Sequence, residues 1–108
     1  MDLKNAKILV TGGASGMGKA FVLNLAKDGA SVAFCDLNEE GIRAVEAEAA
    51  DLPGKVVGFV ANVADEESVE GLISDAHEAL GGLNGLVNRS PPPLWLLRRR
   101  GGKKLADF

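Results

Sequence analysis

Short apolar runs and amphipathic segments alternate along residues 6–88. Four of the runs are apolar almost throughout, which is typical of strands that are buried on both faces of a parallel sheet. These predicted strands cover residues 6–11, 31–35, 55–61 and 83–88. The segments between them have helical spacing of their apolar residues. The order β-α-β-α-β-α-β, with short connections, therefore predicts an α/β fold in which helices cover the faces of a parallel sheet.

The three helical segments carry sequence signals of their own. In the first, which spans residues 17–28, Met17, Phe21 and Leu25 recur every four residues. Asn38 and Asp65 are suited to cap the second and third helices, because each precedes two glutamates that favour the positive end of a helix dipole. The third helix has the most regular apolar face, formed by Val69, Leu72, Ile73, Ala76 and Leu80.

A glycine-rich turn connects the first strand with the first helix and has the sequence Thr-Gly-Gly-Ala-Ser-Gly-Met-Gly over residues 11–18. Backbone N–H groups of such a turn can approach a pyrophosphate, and the helix that follows directs its positive end at the same anion. Asp36 ends the second strand, 18 residues after Gly18, where a carboxylate can accept hydrogen bonds from both ribose hydroxyls. Strand, turn, helix and acid together predict a dinucleotide-binding site, and a purely structural turn is the alternative.

The spacing of the glycines and Asp36 resembles the short-chain dehydrogenase/reductase family over residues 4–88. Asn62 and Val63 follow the third strand where that family usually has Asp-Val. Residues 86–88 (Leu-Val-Asn) resemble the start of its Leu-Val-Asn-Asn-Ala-Gly motif. The resemblance implies the first part of a doubly wound Rossmann sheet, with strand order 3-2-1-4. It also implies that the complete parent is a homo-oligomeric oxidoreductase that interconverts an alcohol and a ketone by hydride transfer.

The cofactor contacts of the family are carried over position by position. The expected cofactor-binding residues are Gly12, Ser15, Gly16, Met17, Gly18, Asp36, Leu37, Asn62, Val63 and Asn88. Asn62 replaces the usual aspartate, and the residues after Asn88 depart from the family motif. NAD is favoured over NADP, because Asp36 would repel a 2′-phosphate and the adjoining Ser15 and Leu37 carry no positive charge.

The sequence contains no tyrosine. In the family, a tyrosine exchanges a proton with the substrate oxygen, with a lysine four positions later and a serine upstream. This chain lacks that set, so we assign it no catalytic residue and expect it to be the cofactor-binding part of an oxidoreductase, inactive alone. The alternative is a non-catalytic nucleotide-binding or interaction module with a basic tail.

The composition changes abruptly after Asn88. Residues 1–88 contain six basic and fourteen acidic residues, a net charge of −8, whereas residues 89–108 contain six basic residues and one acidic residue, a net charge of +5. Three of the four prolines and the single tryptophan also lie in this second segment. We interpret it as a separate, atypical tail that a shifted reading frame explains most simply. A chimeric end and a genuine, disordered basic tail are the alternatives.

The remaining composition excludes several classes of protein. No apolar run approaches the length of about 18–20 residues that a membrane span needs. The single cysteine, Cys35, excludes an intrachain disulfide, and neither Cys35 nor the single histidine, His77, belongs to a metal-ligand set. We therefore expect a cytoplasmic protein without a metal, whose partner is the dinucleotide. No nucleic acid or membrane partner is expected, and a small alcohol or ketone would bind only to a complete parent.

Overall fold

The computed structural model of the chain describes residues 3–14 and 16–88. Its strands are β1 (Lys7–Thr11), β2 (Ser31–Asp36), β3 (Val56–Val60) and β4 (Gly85–Asn88). Its helices are α1 (Gly16–Lys27), α2 (Glu39–Glu48) and α3 (Glu66–Leu80). The predicted alternation of strands and helices is confirmed. The predicted tail, residues 89–108, lies outside the described residues.

All four strands run parallel in one sheet with the order β3-β2-β1-β4. Thr11, the last residue of β1, is in register with Cys35 of β2 and with Asn88 of β4. Asp36, the last residue of β2, is in register with Val60 of β3. The carboxyl ends of the strands consequently lie along one edge of the sheet. The strand order and the Rossmann-like class agree with the prediction.

Helices cover both faces of the sheet. Successive side chains of a strand point to opposite faces, so the strands contribute residues to two separate buried clusters. Val10, Val32 and Phe34 belong to one buried cluster, which α1 and α2 complete with Val22 and Ile42. The opposite cluster joins strand residues to the apolar face of α3, and all five predicted residues of that face are buried. Its buried members are Leu9, Ala33, Cys35, Ala61, Val69, Leu72, Ile73, Ala76, Leu80 and Leu83.

Helix α1 forms where it was predicted, but its large apolar residues do not define its buried face. Met17 is 63% exposed and Phe21 is 38% exposed. The buried residues of α1 are Gly18, Val22 and Ala26. The small size of Gly18 and Ala26 allows the helix to lie close to the sheet. The four-residue spacing of large side chains therefore indicated the helix correctly, whereas its buried face is formed by other residues.

Both predicted helix caps are confirmed. The Asn38 side chain accepts a hydrogen bond from the Gly41 N–H at 3.2 Å, and the Asp65 side chain accepts one from the Glu67 N–H at 3.2 Å. At its other end, α3 stops at Gly81, whose φ of 74° is in the left-handed region that glycine adopts without a steric penalty. These caps fix the start of each helix relative to the strand before it.

The two edges of the sheet differ in how they are covered. Strand β3 forms one edge, and the N–H of Gly58 on that strand donates to the Glu46 carboxylate of α2 at 2.8 Å. Glu46 also forms an ion pair with Arg43 in the same helix. Strand β4 forms the other edge, and within the described residues it has a neighbouring strand, β1, on one side only.

Candidate functional site

The predicted site residues that the structure describes lie together at the carboxyl edge of the sheet. The glycine-rich turn follows β1, Asp36 ends β2, and Asn62 and Val63 follow β3. In open parallel sheets, ligands bind in the crevice outside this edge, at the point where the strand order reverses. Here that reversal lies between β1 and β4, and the glycine-rich turn follows β1 directly.

Two different reasons require glycine at the three predicted turn positions: backbone conformation at Gly12 and Gly16, and lack of space at Gly18. Gly12 has a φ of 67° and Gly16 a φ of 58°, both in the left-handed region that side chains disfavour. Gly18 has no room for a side chain, because a Cβ there would lie 1.8 Å from the carbonyl oxygen of Gly12. Helix α1 therefore starts directly against the turn, with the N–H groups of its first residues at the carboxyl edge of the sheet.

Strand β2 holds the turn through contacts that the sequence motif did not reveal. The Gly13 N–H donates to the Cys35 carbonyl at 3.0 Å, and the Ala14 N–H donates to Asp36 Oδ2 at 3.2 Å. Gly13 also lies against Phe34, where an added Cβ would come within 2.7 Å of the Phe34 side chain. Gly13 and Ala14 were not among the predicted site residues. The only sequence signal for their role in the turn was their small size directly after Gly12.

From the described part of the chain, the Asp36 carboxylate accepts three backbone hydrogen bonds. Its Oδ1 accepts from the Leu37 N–H at 2.8 Å and from the Asn38 N–H at 3.3 Å, and its Oδ2 accepts from Ala14. A carboxylate has about four acceptor positions, two on each oxygen. As far as the described residues are concerned, one position therefore remains on Oδ2, beside the glycine-rich turn.

Three of the expected cofactor-binding residues, Leu37, Asn62 and Val63, follow β2 and β3. Leu37 is 68% exposed, so an apolar side chain stands in solvent beside Asp36. Val63 is half-buried and packs against the cluster under α3. Hydrogen bonds hold Asn62 in its loop, because its N–H donates to Ser68 Oγ, its Oδ1 accepts from the Ala64 N–H and its carbonyl accepts from the Asp65 N–H. This loop geometry gives the asparagine a local structural role.

Two of the predicted site residues receive no structural account. Ser15 lies outside the described residues. Asn88 ends β4, in register with Thr11, and its side chain is likewise outside the description. Their contribution to a binding site stays a prediction. Met17 lies at the start of α1 and is 63% exposed, and its contribution to binding also stays a prediction.

The single cysteine lies in β2 and the single histidine in α3. Cys35 is buried within β2, and burial raises the pKa of its thiol to about 11; a backbone hydrogen bond with Gly12 opposes this rise, and the negative charge of Asp36 adds to it. His77 is exposed near the end of α3. Across residues 3–14 and 16–88, no group of three or more His, Cys, Asp or Glu side chains could hold a metal ion. No helix in this part of the chain has both the length and the apolar character for a membrane crossing.

Comparison with known proteins places this arrangement in a family. The chain is 41% identical over 92 residues to the 2,5-dichloro-2,5-cyclohexadiene-1,4-diol dehydrogenase of Sphingobium indicum, covering 85% of this chain and 36% of that enzyme. It is 40% identical over 91 residues to the L-fucose dehydrogenase of Bos taurus, covering 82% and 32%. The chain thus spans about a third of the length of these relatives.

Solved structures repeat the likeness in three dimensions. A short-chain dehydrogenase from Burkholderia cenocepacia, crystallised with NADP, superposes with a TM-score of 0.76 at 37% identity, over 82% of this chain and 36% of that one. NAD+-bound xylitol dehydrogenase superposes with a TM-score of 0.75 at 28% identity, over 80% and 33%.

The sequence profile described as "short chain dehydrogenase" matches residues 6–90, which include every element of the sheet. The family binds nicotinamide dinucleotides, and its glycine-rich turn and strand order are those found here. On this agreement of profile, relatives, fold and turn, the chain belongs to the short-chain dehydrogenase/reductase family of oxidoreductases.

Proposed function

We propose that this chain binds the adenosine half of NAD(H) as the cofactor-binding part of a short-chain dehydrogenase/reductase. The observation that carries the proposal is the position of Asp36, whose carboxylate lies beside the glycine-rich turn and accepts the Ala14 N–H on Oδ2, with one acceptor position left on that oxygen by the described residues. In a complete parent, bound NAD(H) would supply hydride transfer between an alcohol and a ketone.

The residues of the turn fit a dinucleotide sterically. Gly12, Gly16 and Gly18 leave the backbone bare where a pyrophosphate must approach, and α1 starts at the same place. A helix N-terminus favours negative charge through its unpaired N–H groups and its dipole. No acidic residue occupies the first turn of α1, so the chain itself adds no repulsion there.

The preference for NAD over NADP rests on the charge around Asp36. A 2′-phosphate would stand next to this carboxylate and to the glutamates that open α2, Glu39 and Glu40. Arg43 could offset such a charge, but it already pairs with Glu39 and Glu46. Repulsion between like charges at close range is therefore uncompensated, and it disfavours NADP.

The test is a calorimetric titration of the chain with NAD, NADP and ADP-ribose. Hydrogen bonds to a charged group contribute roughly 1.5–3 kcal/mol, so Asp36→Ala should weaken NAD binding by roughly 10- to 150-fold. The same variant should reduce the difference in binding affinity between NAD and NADP. Equal affinity of the wild type and Asp36→Ala for NAD would refute the ribose assignment.

The proposal extends to the organisation of the whole protein. Residues 1–88 form the cofactor-binding segment and residues 89–108 a separate tail, in a cytoplasmic protein whose complete parent is a homo-oligomer. Translating the DNA after codon 88 in all reading frames tests this organisation. Asn-Ala-Gly followed by a later Tyr-x-x-x-Lys in another frame would support it. Their absence in every frame would favour a non-catalytic module with a basic tail.

A further inference from the structure

The last three residues of β2 each hold the glycine-rich turn in a different way. The Phe34 side chain lies against Gly13, the Cys35 carbonyl accepts the Gly13 N–H, and Asp36 Oδ2 accepts the Ala14 N–H. The first two contacts depend on packing and on the main chain. The third depends on one side chain, and that side chain is the carboxylate assigned to the ribose.

We propose that Asp36 is a positioning residue for the glycine-rich turn, in addition to contacting the ribose. By accepting the Ala14 N–H, it fixes the turn against β2 in the form that presents backbone N–H groups to a pyrophosphate. This inference rests on the proposed dinucleotide site and adds a second role to one of its residues. It makes Asp36 matter even for a ligand that has no ribose hydroxyl to contact.

The hydrogen-bond geometry supports the two roles together. Oδ1 is occupied by the N–H groups of Leu37 and Asn38, which orient the carboxylate towards the turn. Within residues 3–14 and 16–88, Oδ2 accepts only from Ala14, which leaves it one further acceptor position. The carboxylate can therefore accept one ribose hydroxyl while it holds the turn, and a second hydroxyl must compete with the Ala14 N–H.

The discriminating ligand is 2′,3′-dideoxyadenosine 5′-diphosphate, which retains the adenine and the pyrophosphate but lacks both ribose hydroxyls. Its binding to the full chain should weaken about tenfold in Asp36→Ala, since a hydrogen bond to a charged group is lost from the turn. Asp36→Asn should bind it with an affinity between those of the wild type and Asp36→Ala, because its single amide oxygen can accept either the Ala14 N–H or the N–H groups of Leu37 and Asn38. Both variants lack the charge, so their difference isolates the hydrogen bond.

ADP and a remote variant serve as controls. ADP binding should weaken in both Asp36 variants, since ribose recognition is impaired in each. Asp75→Ala removes a negative charge from an exposed position of α3 and should leave the binding of both ligands unchanged. If Asp36→Ala binds the dideoxy ligand as tightly as Asp36→Asn does, Asp36 acts on the ribose alone and the positioning role is wrong.

A second measurement needs no ligand. The exchange of the Ala14 amide hydrogen, followed by NMR, should accelerate about tenfold or more in Asp36→Ala and less in Asp36→Asn. Failure of the wild type to bind either nucleotide would refute the proposed function, and the Ala14 exchange rate would then decide the positioning role by itself. Unchanged exchange in Asp36→Ala would overturn it.

Discussion

Phe34 and Gly13 lie so close together that a Cβ at position 13 would come within 2.7 Å of the Phe34 Cβ and within 2.9 Å of its Cγ. Phe34 is completely buried and cannot move aside. Forcing an extra methyl group into a packed site typically costs about 1–3 kcal/mol. We therefore expect Gly13→Ala to lower the free energy of unfolding by that amount, measured by urea denaturation.

Gly71→Ala provides the matched control for this experiment. Gly71 is exposed within α3, and a Cβ there would meet nothing within 4 Å. Alanine in place of glycine within a helix stabilises by roughly 0.5–1 kcal/mol. Gly13→Ala and Gly71→Ala should therefore change the free energy of unfolding in opposite directions. A Gly13→Ala variant as stable as Gly71→Ala would show that the turn yields to the methyl group.

The buried thiol of Cys35 should be inert in the folded chain. Burial raises its pKa from 9.0 to about 11, so the reactive thiolate is scarce at pH 8. We expect an aromatic disulfide reagent to modify Cys35 only when urea unfolds the chain, with absorbance of the released thiolate as the measurement. Rapid modification without urea would contradict the buried position of this residue.

The same pKa shift predicts how stability depends on pH. The folded chain keeps the Cys35 proton up to a higher pH than the unfolded chain does. The resulting stabilisation is complete below about pH 9 and is lost as the pH rises through about 11. A Cys35→Ser variant should lose this dependence, which urea titrations at pH 8 and pH 10.5 would measure.

The purified 108-residue chain should not reduce ketones with NADH. The sequence has no tyrosine to exchange a proton with the substrate oxygen, and proton transfer of this kind typically contributes 10²–10⁴-fold to the rate. An absorbance assay of NADH against a panel of ketones, with a full-length family member as positive control, provides the measurement. Turnover that copurifies with the chain and disappears in Gly16→Asp would mean that catalytic groups exist elsewhere in it.

Periodicity and caps predicted the fold well, because both signals are local. Asn38 and Asp65 cap the helices that they precede, and the five apolar residues predicted for α3 are all buried. The strand order followed from the family resemblance and agrees with the structure. Asp36 was placed beside the turn by its position at the end of β2, and the structure brings the two within hydrogen-bonding distance.

The remaining features depend on contacts between distant parts of the chain. The inner face of α1 is set by how closely Gly18 approaches Gly12, so the larger Met17 and Phe21 remain partly exposed. The need for glycine at position 13 arises from Phe34, which is 21 residues away and whose packing no local pattern indicates. The buried face of α1 and the need for Gly13 therefore depend on distances in the folded structure, to the Gly12 backbone and to the Phe34 side chain respectively.

The hydrogen bond between Glu46 and the Gly58 N–H determines which edge of the sheet can accept a further strand. A strand that added beside β3 would have to break this charge-assisted bond and leave the carboxylate of Glu46 without that donor. Beside β4, the described part of the chain imposes no such step. Any further strand, whether from this polypeptide or from another one, should therefore extend the sheet from β4.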